Sequence, residues 1–469
     1  MKTCQLVIGS FFISIMAFSQ NVQQRLDSTV KAMLGDSTMK HALMGLYVVN
    51  SNTNEVLYDL NSQIGLAPAS CQKIITSIAA FDLLGKEYKW KTELGYDGTI
   101  KNDSLNGTLY IIGYGDPTLG SWRYEATKEE NVLHTWVHAI KGLGIKYATS
   151  VFGYDRKWES ATVPGGWIWD DIGNYYGAGV SALNWKENQY DVKLQAGDSI
   201  GAKVKIELPE GTLDEIYLEN ELVTQKAKTG DNAYIYLSPY SFTGYLRGSI
   251  GIDDKHLTIA GAVPNPSMNM TNVLAAAMQK AGMDKSLFVG SFNSPLIEKK
   301  NFPIKYRTFY TQYSPPLDSV NFQFLRHSIN LYGEAFIKTI AYERTGFGST
   351  DSGLAIVKRF WQERGIEKSA LHLVDGSGLS PQNRITANSL VTALQYARTK
   401  DWFNSFHEAL PTYNQMKLKS GTIGGAKSFA GYHKAKNGTE YTVAIIVNNF
   451  DGSASNVVKK MFAVLDELK

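Results

Sequence analysis

Hydrophobic and polar positions along the chain follow two different patterns. Apolar residues recur at helical spacing in four long stretches: residues 20–45, 319–344, 351–365 and 454–468. Residues 90–255 instead form many short apolar runs separated by turn residues, which is typical of strands. Apolar strands are also predicted at 42–49 and 441–448. No repeat or low-complexity linker separates the two patterns, so we predict that the strand-rich part is inserted into one folded domain.

The N-terminal residues have the pattern of a secretory signal peptide. Lys2 supplies the positive start, residues 6–16 form an apolar run, and Ala17-Phe18-Ser19 offers small residues for cleavage. The run is too short to span a bilayer, and no later segment is long enough either. We therefore expect residues 1–19 to be removed and the mature protein to be exported, without a transmembrane anchor.

Charge, cysteine content and histidine spacing exclude several classes of partner. A net charge of +3 over 469 residues, without a long Lys/Arg cluster, predicts no nucleic-acid partner. Signal cleavage would remove Cys4 and leave Cys71 alone, so no disulfide within the chain is expected. His134 and His138 are four residues apart, but this segment lacks the glutamate of a zinc motif and a third ligand. No metal and no organic cofactor are predicted.

Ser70 and Lys73 are three residues apart at the start of a predicted helix. Residues at this spacing share a helix face, so the lysine amine is expected beside the serine hydroxyl. A serine needs an adjacent base to act as a nucleophile, and a partly buried lysine can supply one. The helix N-terminus also favours negative charge beside Ser70. Cys71 is an alternative nucleophile, but its alignment with Ile75 and Ile78 places it in the predicted core.

Two further motifs follow Ser70-x-x-Lys73, namely Ser328-x-Asn330 and Lys419-Ser420-Gly421. Each is common by chance, but the three in this order form the signature of penicillin-binding proteins and serine β-lactamases. In the length of the gap between its first and second motifs, the chain resembles the type-4 D-Ala-D-Ala carboxypeptidase/endopeptidase family of penicillin-binding proteins. Members of that family carry two extra domains in this gap. Three other segments are similar to the same family: residues 115–119, 375–380 and 429–432.

The resemblance implies an α+β fold. Its centre would be a penicillin-binding/β-lactamase-like transpeptidase domain, an antiparallel sheet flanked by helices, with two nested insertion domains rich in short strands. The implied limits are 20–90 and 295–469 for the D,D-peptidase domain, 91–183 and 256–294 for the first inserted domain, and 184–255 for the second.

The resemblance also implies catalytic roles for five residues. Ser70 would attack the carbonyl of the penultimate D-alanine and form an acyl-enzyme, while Lys73 accepts its proton. Ser328 would relay a proton to the leaving amine, with Lys419 keeping the local field positive. Asn330 would orient the substrate amide and the lysine.

Substrate binding is implied for a second set of residues. The hydroxyls of Ser420 and Thr422, on either side of Gly421, would bind the terminal carboxylate, and the N–H of Thr422 would join that of the nucleophile in an oxyanion hole. Asp171, shortly before a Tyr176-Gly177-Ala178 segment similar to the family's, would bind the amine of the third peptide residue. The family's third motif usually has threonine where Ser420 stands. Arginine often follows the segment at 375–380, where this chain has Pro381, with Arg384 three residues later.

The resulting hypothesis is a periplasmic serine D-alanyl-D-alanine carboxypeptidase, with or without D,D-endopeptidase activity. Its partners would be peptidoglycan peptides, with β-lactam antibiotics as covalent inhibitors. One alternative is a β-lactamase or esterase of the same superfamily, which the long insertion disfavours. Another is an inert wall-binding protein, which the intact motifs disfavour.

Overall fold

The computed structural model describes residues 22–208, 216–283, 288–293 and 305–469. The predicted signal segment at 1–19 lies outside these residues. The chain divides into two compact units. The first comprises Met1–Ala79, Asn321–Ser328 and Val357–Lys469, and the second comprises Ala80–Val320 and Ile329–Ile356.

The strands of the described residues are, in chain order, β1 (Leu43–Asn50), β2 (Val56–Leu60), β3 (Lys91–Tyr96), β4 (Thr99–Lys101), β5 (Ser104–Gly113), β6 (Tyr147–Tyr154), β7 (Gln189–Gln195), β8 (Lys205–Glu207), β9 (Tyr217–Asn220), β10 (Val223–Gln225), β11 (Asn232–Tyr236), β12 (Thr243–Gly251), β13 (Leu257–Ala262), β14 (Phe288–Ser291), β15 (Arg307–Tyr313), β16 (Leu371–His372), β17 (Arg384–Ile385), β18 (Thr412–Tyr413), β19 (Met416–Ile423), β20 (Ala426–Lys434) and β21 (Glu440–Asn448).

The α-helices of the described residues are α1 (22–34), α2 (Lys73–Leu84), α3 (Glu129–Gly142), α4 (Trp169–Ile172), α5 (Pro266–Lys280), α6 (Leu317–His327), α7 (Asn330–Thr345), α8 (Thr350–Gln362), α9 (Ala387–Arg398), α10 (Phe403–Ala409) and α11 (Ala454–Asp466). None of these described helices is long and apolar enough to cross a membrane.

The first unit is built on a six-stranded antiparallel sheet with the order β18-β19-β20-β21-β1-β2. Alternate side chains of a strand point to opposite faces, and Val443, Ile445 and Val447 of β21 all point to the face covered by α1 and α11. Leu26 of α1 and Met461 of α11 are fully buried in this cluster. Each buried aliphatic side chain contributes about 1.5–3 kcal/mol, so this face forms the core of the unit.

Helix α9 covers the opposite face of the same sheet. The hydroxyl of Thr442 donates to Gln395 Oε1 at 2.6 Å, and that of Tyr432 donates to the Leu394 carbonyl at 2.6 Å. Thr386 caps the helix by accepting from Ser389 N at 3.0 Å. The predicted α+β fold, with an antiparallel sheet flanked by helices, is therefore confirmed.

Among its described residues, the second unit has one larger mixed sheet and two small ones. The larger sheet has the order β14-β6-β5-β3-β15, with β4 paired to β5, and Trp136 of α3 and Met270 of α5 pack against it. The small sheets, β13-β7-β8 and β10-β12-β11 with β9, share a core that includes Val192, Ile235 and Leu246.

Two strands pair with partners on the other side of a predicted domain limit. β13 pairs with β7 of the nested β-rich region, although it follows the predicted limit at residue 255. β15 pairs with β3 and extends the larger sheet of the second unit, although it follows the predicted limit at residue 295. Strand pairing between distant segments decides such limits, and the periodicity of each strand does not reveal its partner.

Candidate active site

The nucleophile candidate lies in a tight turn directly before α2. Pro68 precedes a 3₁₀ turn over Ala69–Gln72, and α2 starts at Lys73. Ala69 has a φ of +47°, a left-handed conformation that costs on the order of 1–2 kcal/mol for a residue with a Cβ. Ser70 therefore sits in the turn and not in the α-helix itself. Lys73 Nζ nevertheless donates to Ser70 Oγ at 2.9 Å, as the spacing predicts.

Lys73 is fully buried, and its ammonium group contacts main-chain and aromatic atoms. Nζ donates to the Ser377 carbonyl at 2.7 Å and lies 5.8 Å from the centre of the Phe324 ring. A buried amine needs such partners because desolvation of a charge is costly. The lysine is thus held against Ser70 in one orientation, as a base must be.

A loop at residues 375–380 packs against Lys73. From the sequence, no role at the site was assigned to this loop. Asp375 at its start is fully buried. Four groups donate to the Asp375 carboxylate: Gly378 N (2.7 Å), Ser380 N (2.6 Å), Asn383 Nδ2 (3.0 Å) and Gln72 Nε2 (2.9 Å). The loop also accepts from Thr76 of α2, whose hydroxyl donates to the Gly376 carbonyl at 2.6 Å.

Gly378 allows this loop to approach the nucleophile turn. Its φ is +84°, and a Cβ at this position would lie 2.0 Å from the Ala69 carbonyl oxygen. The signal in the sequence is an aspartate followed by a glycine-rich turn, which is typical of a loop ordered by its own side chain. That pattern predicts a turn, but it does not reveal that the turn packs on Ser70.

Lys419 lies on β19, buried, with Nζ donating to the Ser420 carbonyl at 2.7 Å. Burial, with a contribution from the nearby positive charge of Lys427, lowers the pKa of Lys419 to about 8. The group is therefore charged at neutral pH and loses its charge as pH rises through about 8.

Gly421 brings the backbone of β19 against the nucleophile. A Cβ at this position would lie 2.5 Å from the Pro68 carbonyl oxygen and 2.9 Å from Ser70 N, which no other residue could accept. The Ser428 hydroxyl on β20 donates to the same Pro68 carbonyl at 2.5 Å. The third motif therefore meets the first one through main-chain contact.

Cys71 is a core residue. Its thiol is fully buried and donates to the Lys419 carbonyl at 3.1 Å, which links the nucleophile turn to β19. Burial also raises the pKa of the Cys71 thiol, so the thiolate is disfavoured. The structure supports the core assignment of Cys71 over its alternative role as a nucleophile.

The Ser328-x-Asn330 motif forms the connection between α6, which ends at His327, and α7, which begins at Asn330. Ser328 has a φ of +58°, and a serine in this left-handed region is sparsely populated and costly. Such strain is found where a side chain must be aimed in a particular direction. The division between the two units falls within the motif, with Ser328 in the first and Asn330 in the second.

Asn330 contacts Tyr176, one of the two candidate recognition residues of the second unit. Its Nδ2 donates to the Tyr176 carbonyl at 2.7 Å. Burial, followed by the neighbouring Asp170 charge, raises the pKa of Asp171 to about 6, although a hydrogen bond with Tyr176 opposes the shift. Asp171 and the carbonyl partner of Asn330 thus belong to one connected cluster. His134 and His138, by contrast, are both exposed on α3.

Residues 26–468 match the model of the D-Ala-D-Ala carboxypeptidase 3 (S13) family. A D-alanyl-D-alanine carboxypeptidase from Actinomadura sp. (strain R39) is 26% identical over 467 residues, covering 94% of this chain and 84% of that protein.

Two crystal structures of penicillin binding protein 4 from Haemophilus influenzae share the fold. One matches with a TM-score of 0.79 at 20% identity, covering 96% of this chain and 99% of that one. The other, in complex with a novel β-lactam, has a TM-score of 0.74 at 20% identity, covering 94% and 99%.

Proposed function

Because the chain belongs to the D-Ala-D-Ala carboxypeptidase 3 (S13) family, it is a D-alanyl-D-alanine carboxypeptidase, and we propose that it acts through an acyl-enzyme on Ser70. The observation that carries this assignment is the hydrogen bond of 2.9 Å from Lys73 Nζ to Ser70 Oγ, made by a lysine that is fully buried. Lys73 acts as the base when it is neutral: it takes the hydroxyl proton while Oγ attacks the carbonyl carbon of the penultimate D-alanine.

The negative oxygen that forms in this step is stabilised by N–H groups. The N–H of Ser70 and that of Thr422 are the proposed donors, and the close approach at Gly421 supports this pairing. Loss of one such donor costs about 3–4 kcal/mol of transition-state stabilisation.

Release of the terminal D-alanine requires a proton on its amine. Ser328 relays to this amine the proton that Lys73 took from Ser70, and the positive charge of Lys419 keeps the local field positive. Asn330 orients the substrate amide. Water then attacks the ester at Ser70, which releases the shortened peptide and returns the proton to the serine.

The substrate is the D-Ala-D-Ala end of peptidoglycan stem peptides. Asp171, beside Tyr176, binds the side-chain ammonium of the third peptide residue, because a half-buried carboxylate favours a charge-assisted hydrogen bond. D,D-endopeptidase activity on cross-links uses the same acyl-enzyme, since both substrates present a D,D bond with a free carboxylate beside it.

The enzyme acts outside the cytoplasm, where the wall lies, and residues 1–19 direct it to the periplasm. β-Lactams acylate Ser70 as mimics of the D-Ala-D-Ala end. The Haemophilus influenzae structure with a β-lactam comes from a protein of the same fold and supports this proposal.

Labelling with a fluorescent penicillin tests the assignment of the nucleophile. The wild-type protein and a Cys71→Ala variant are expected to be labelled at one site, whereas Ser70→Ala is expected to lose the label. Persistence of the label in Ser70→Ala would refute the acyl-enzyme on Ser70. Rapid, repeated turnover of nitrocefin by the wild type would instead favour the β-lactamase alternative.

A further inference from the structure

A second lysine lies beside the third motif, on the neighbouring strand. Lys427 of β20 stands directly opposite Thr422 of β19 in the antiparallel register. Its Nζ donates to Thr422 Oγ1 at 2.5 Å and lies 5.1 Å from the centre of the Phe429 ring. The ammonium group is therefore held in place by a hydroxyl and an aromatic ring.

Neither this lysine nor Lys419 forms an ion pair with a carboxylate among the described residues. Burial lowers the pKa of Lys427, as it does that of Lys419, and the two positive charges repel each other. The Lys427 side chain is only partly buried and Thr422, to which it donates, is exposed, so a ligand can reach this ammonium group. An ammonium group in this position favours an anion beside residues 420–422.

The free edge of β19 makes this site accessible to a peptide. Among the described strands, β18 pairs only with Met416 and Lys417 of β19, and Leu418 N donates to the Pro411 carbonyl at 2.9 Å, so the edge has no neighbouring strand from Lys419 onward. Lys419 and Gly421 alternate with Ser420 and Thr422 along the strand. An extended peptide at this edge can contact side chains of both faces.

The Thr422 hydroxyl lies where it can bond both to Lys427 and to an anionic peptide at this edge. Its oxygen accepts from Lys427, so its own proton is directed to another acceptor. A carboxylate is the acceptor that gains most, because the hydroxyl is polarised by the adjacent positive charge.

Arg384, the cation that follows the segment at 375–380, already has hydrogen-bond partners. Its Nη1 donates to the Pro381 carbonyl at 2.5 Å and to the Asn383 carbonyl at 2.7 Å, and its side chain is exposed. Arg384 therefore stabilises the turn in which it lies and is not the cation proposed for the substrate carboxylate.

We propose that Lys427 is the cation that binds the terminal carboxylate of the substrate, acting together with the Thr422 hydroxyl. This inference rests on the proposed function of the site and adds a residue that determines specificity for substrates with a free carboxyl end. It also explains how the chain recognises that end with Pro381 in place of an arginine.

The test compares acylation by benzylpenicillin, which carries a carboxylate, with acylation by its neutral methyl ester. Lys427→Met removes the charge but keeps the apolar stem over Phe429. We expect the second-order rate constant for benzylpenicillin to fall about 10- to 100-fold, as for loss of a hydrogen bond to a charged group. The rate constant for the methyl ester should stay within about twofold. Lys427→Arg should restore most of the rate with benzylpenicillin, since it restores the charge.

Lys434→Met is the matched control, because Lys434 lies on the same strand, is exposed, and pairs with Glu440 at 3.6 Å. It should leave both rate constants unchanged. Equal loss with both penicillins in Lys427→Met, or no loss with either, would overturn the role of Lys427. Failure of the wild type to be acylated at all would instead overturn the proposed function.

Discussion

The region around the nucleophile and the region around Asp171 are built in opposite ways. Lys73 and Asp375 are fully buried, and each is held by both main-chain and side-chain groups. Asp171 instead lies half-buried on α4, a helix of only four residues, with Trp169 and Tyr175 about half exposed beside it at 48% and 55%. The first region is constrained by many buried hydrogen bonds, and the second is open to solvent.

In the proposed function, the buried region performs the chemistry and the open region selects the substrate. Reacting groups must be held to within fractions of an ångström, and a buried network provides this precision. A recognition residue at the surface can vary without disturbing the core. Substitutions in the first region should therefore affect all substrates alike, whereas those in the second should discriminate between substrates.

The largest effect is expected for Lys73→Met. The side chain keeps its length, but it can no longer accept the Ser70 proton, so acylation should slow by about 10²- to 10⁴-fold, as for loss of a general base. Stopped-flow or gel-based acylation with a fluorescent penicillin measures the rate, and a peptide substrate should show an equal loss. A loss of rate with only one of the two substrates would contradict the expectation that substitutions around the nucleophile affect all substrates alike.

An intermediate effect is expected for Asp375→Asn. In the variant, an NH2 group replaces one carboxylate oxygen and faces an N–H donor that needs an acceptor. One buried hydrogen bond is therefore lost, at a cost of about 1–3 kcal/mol. The melting temperature should fall, and acylation should slow by a similar factor with every substrate, because the loop no longer holds the Ser377 carbonyl against Lys73. Asp451→Asn, at an exposed loop, is the control and should change neither quantity. Unchanged acylation in a destabilised Asp375→Asn would show that the loop only supports the fold.

The smallest and most selective effect is expected for Asp171→Asn. Peptides with a side-chain ammonium at the third position should bind about tenfold less tightly, as for a charge-assisted bond, whereas acetylated peptides should be unaffected. The wild-type preference should also weaken as pH falls through about 6, because Asp171 then gains a proton and loses its charge. In Asp170→Asn this pH dependence should move to lower pH, since a neighbouring negative charge is removed.

To check this prediction, the KM values of ammonium-bearing and acetylated peptides are measured at several pH values for the wild type and the two variants. An equal loss for ammonium-bearing and acetylated peptides in Asp171→Asn would mean that the residue supports the structure of the loop and not recognition.

Much of the site followed from short-range patterns in the chain. The spacing of Ser70 and Lys73 predicted their contact correctly, even though the serine lies in a 3₁₀ turn, because both helix types bring residues three apart close together. The helical and strand-like stretches predicted the α+β fold, because burial of one face imposes a period that is visible in the residues themselves. The partners of β13 and β15 were not predictable, since strand periodicity does not specify which strand is adjacent.

The amino-acid sequence alone determined the chemical groups and their order, because residue type and local spacing carry that information, and its resemblance to a known family implied the kind of reaction. Only the tertiary structure decided how those groups are held. The Ser377 carbonyl that holds Lys73 lies 304 residues away along the chain, and Lys427 meets Thr422 through the register of a hairpin. Both contacts exist because buried polar groups must find partners wherever the packed chain provides them, and no local pattern contains that choice.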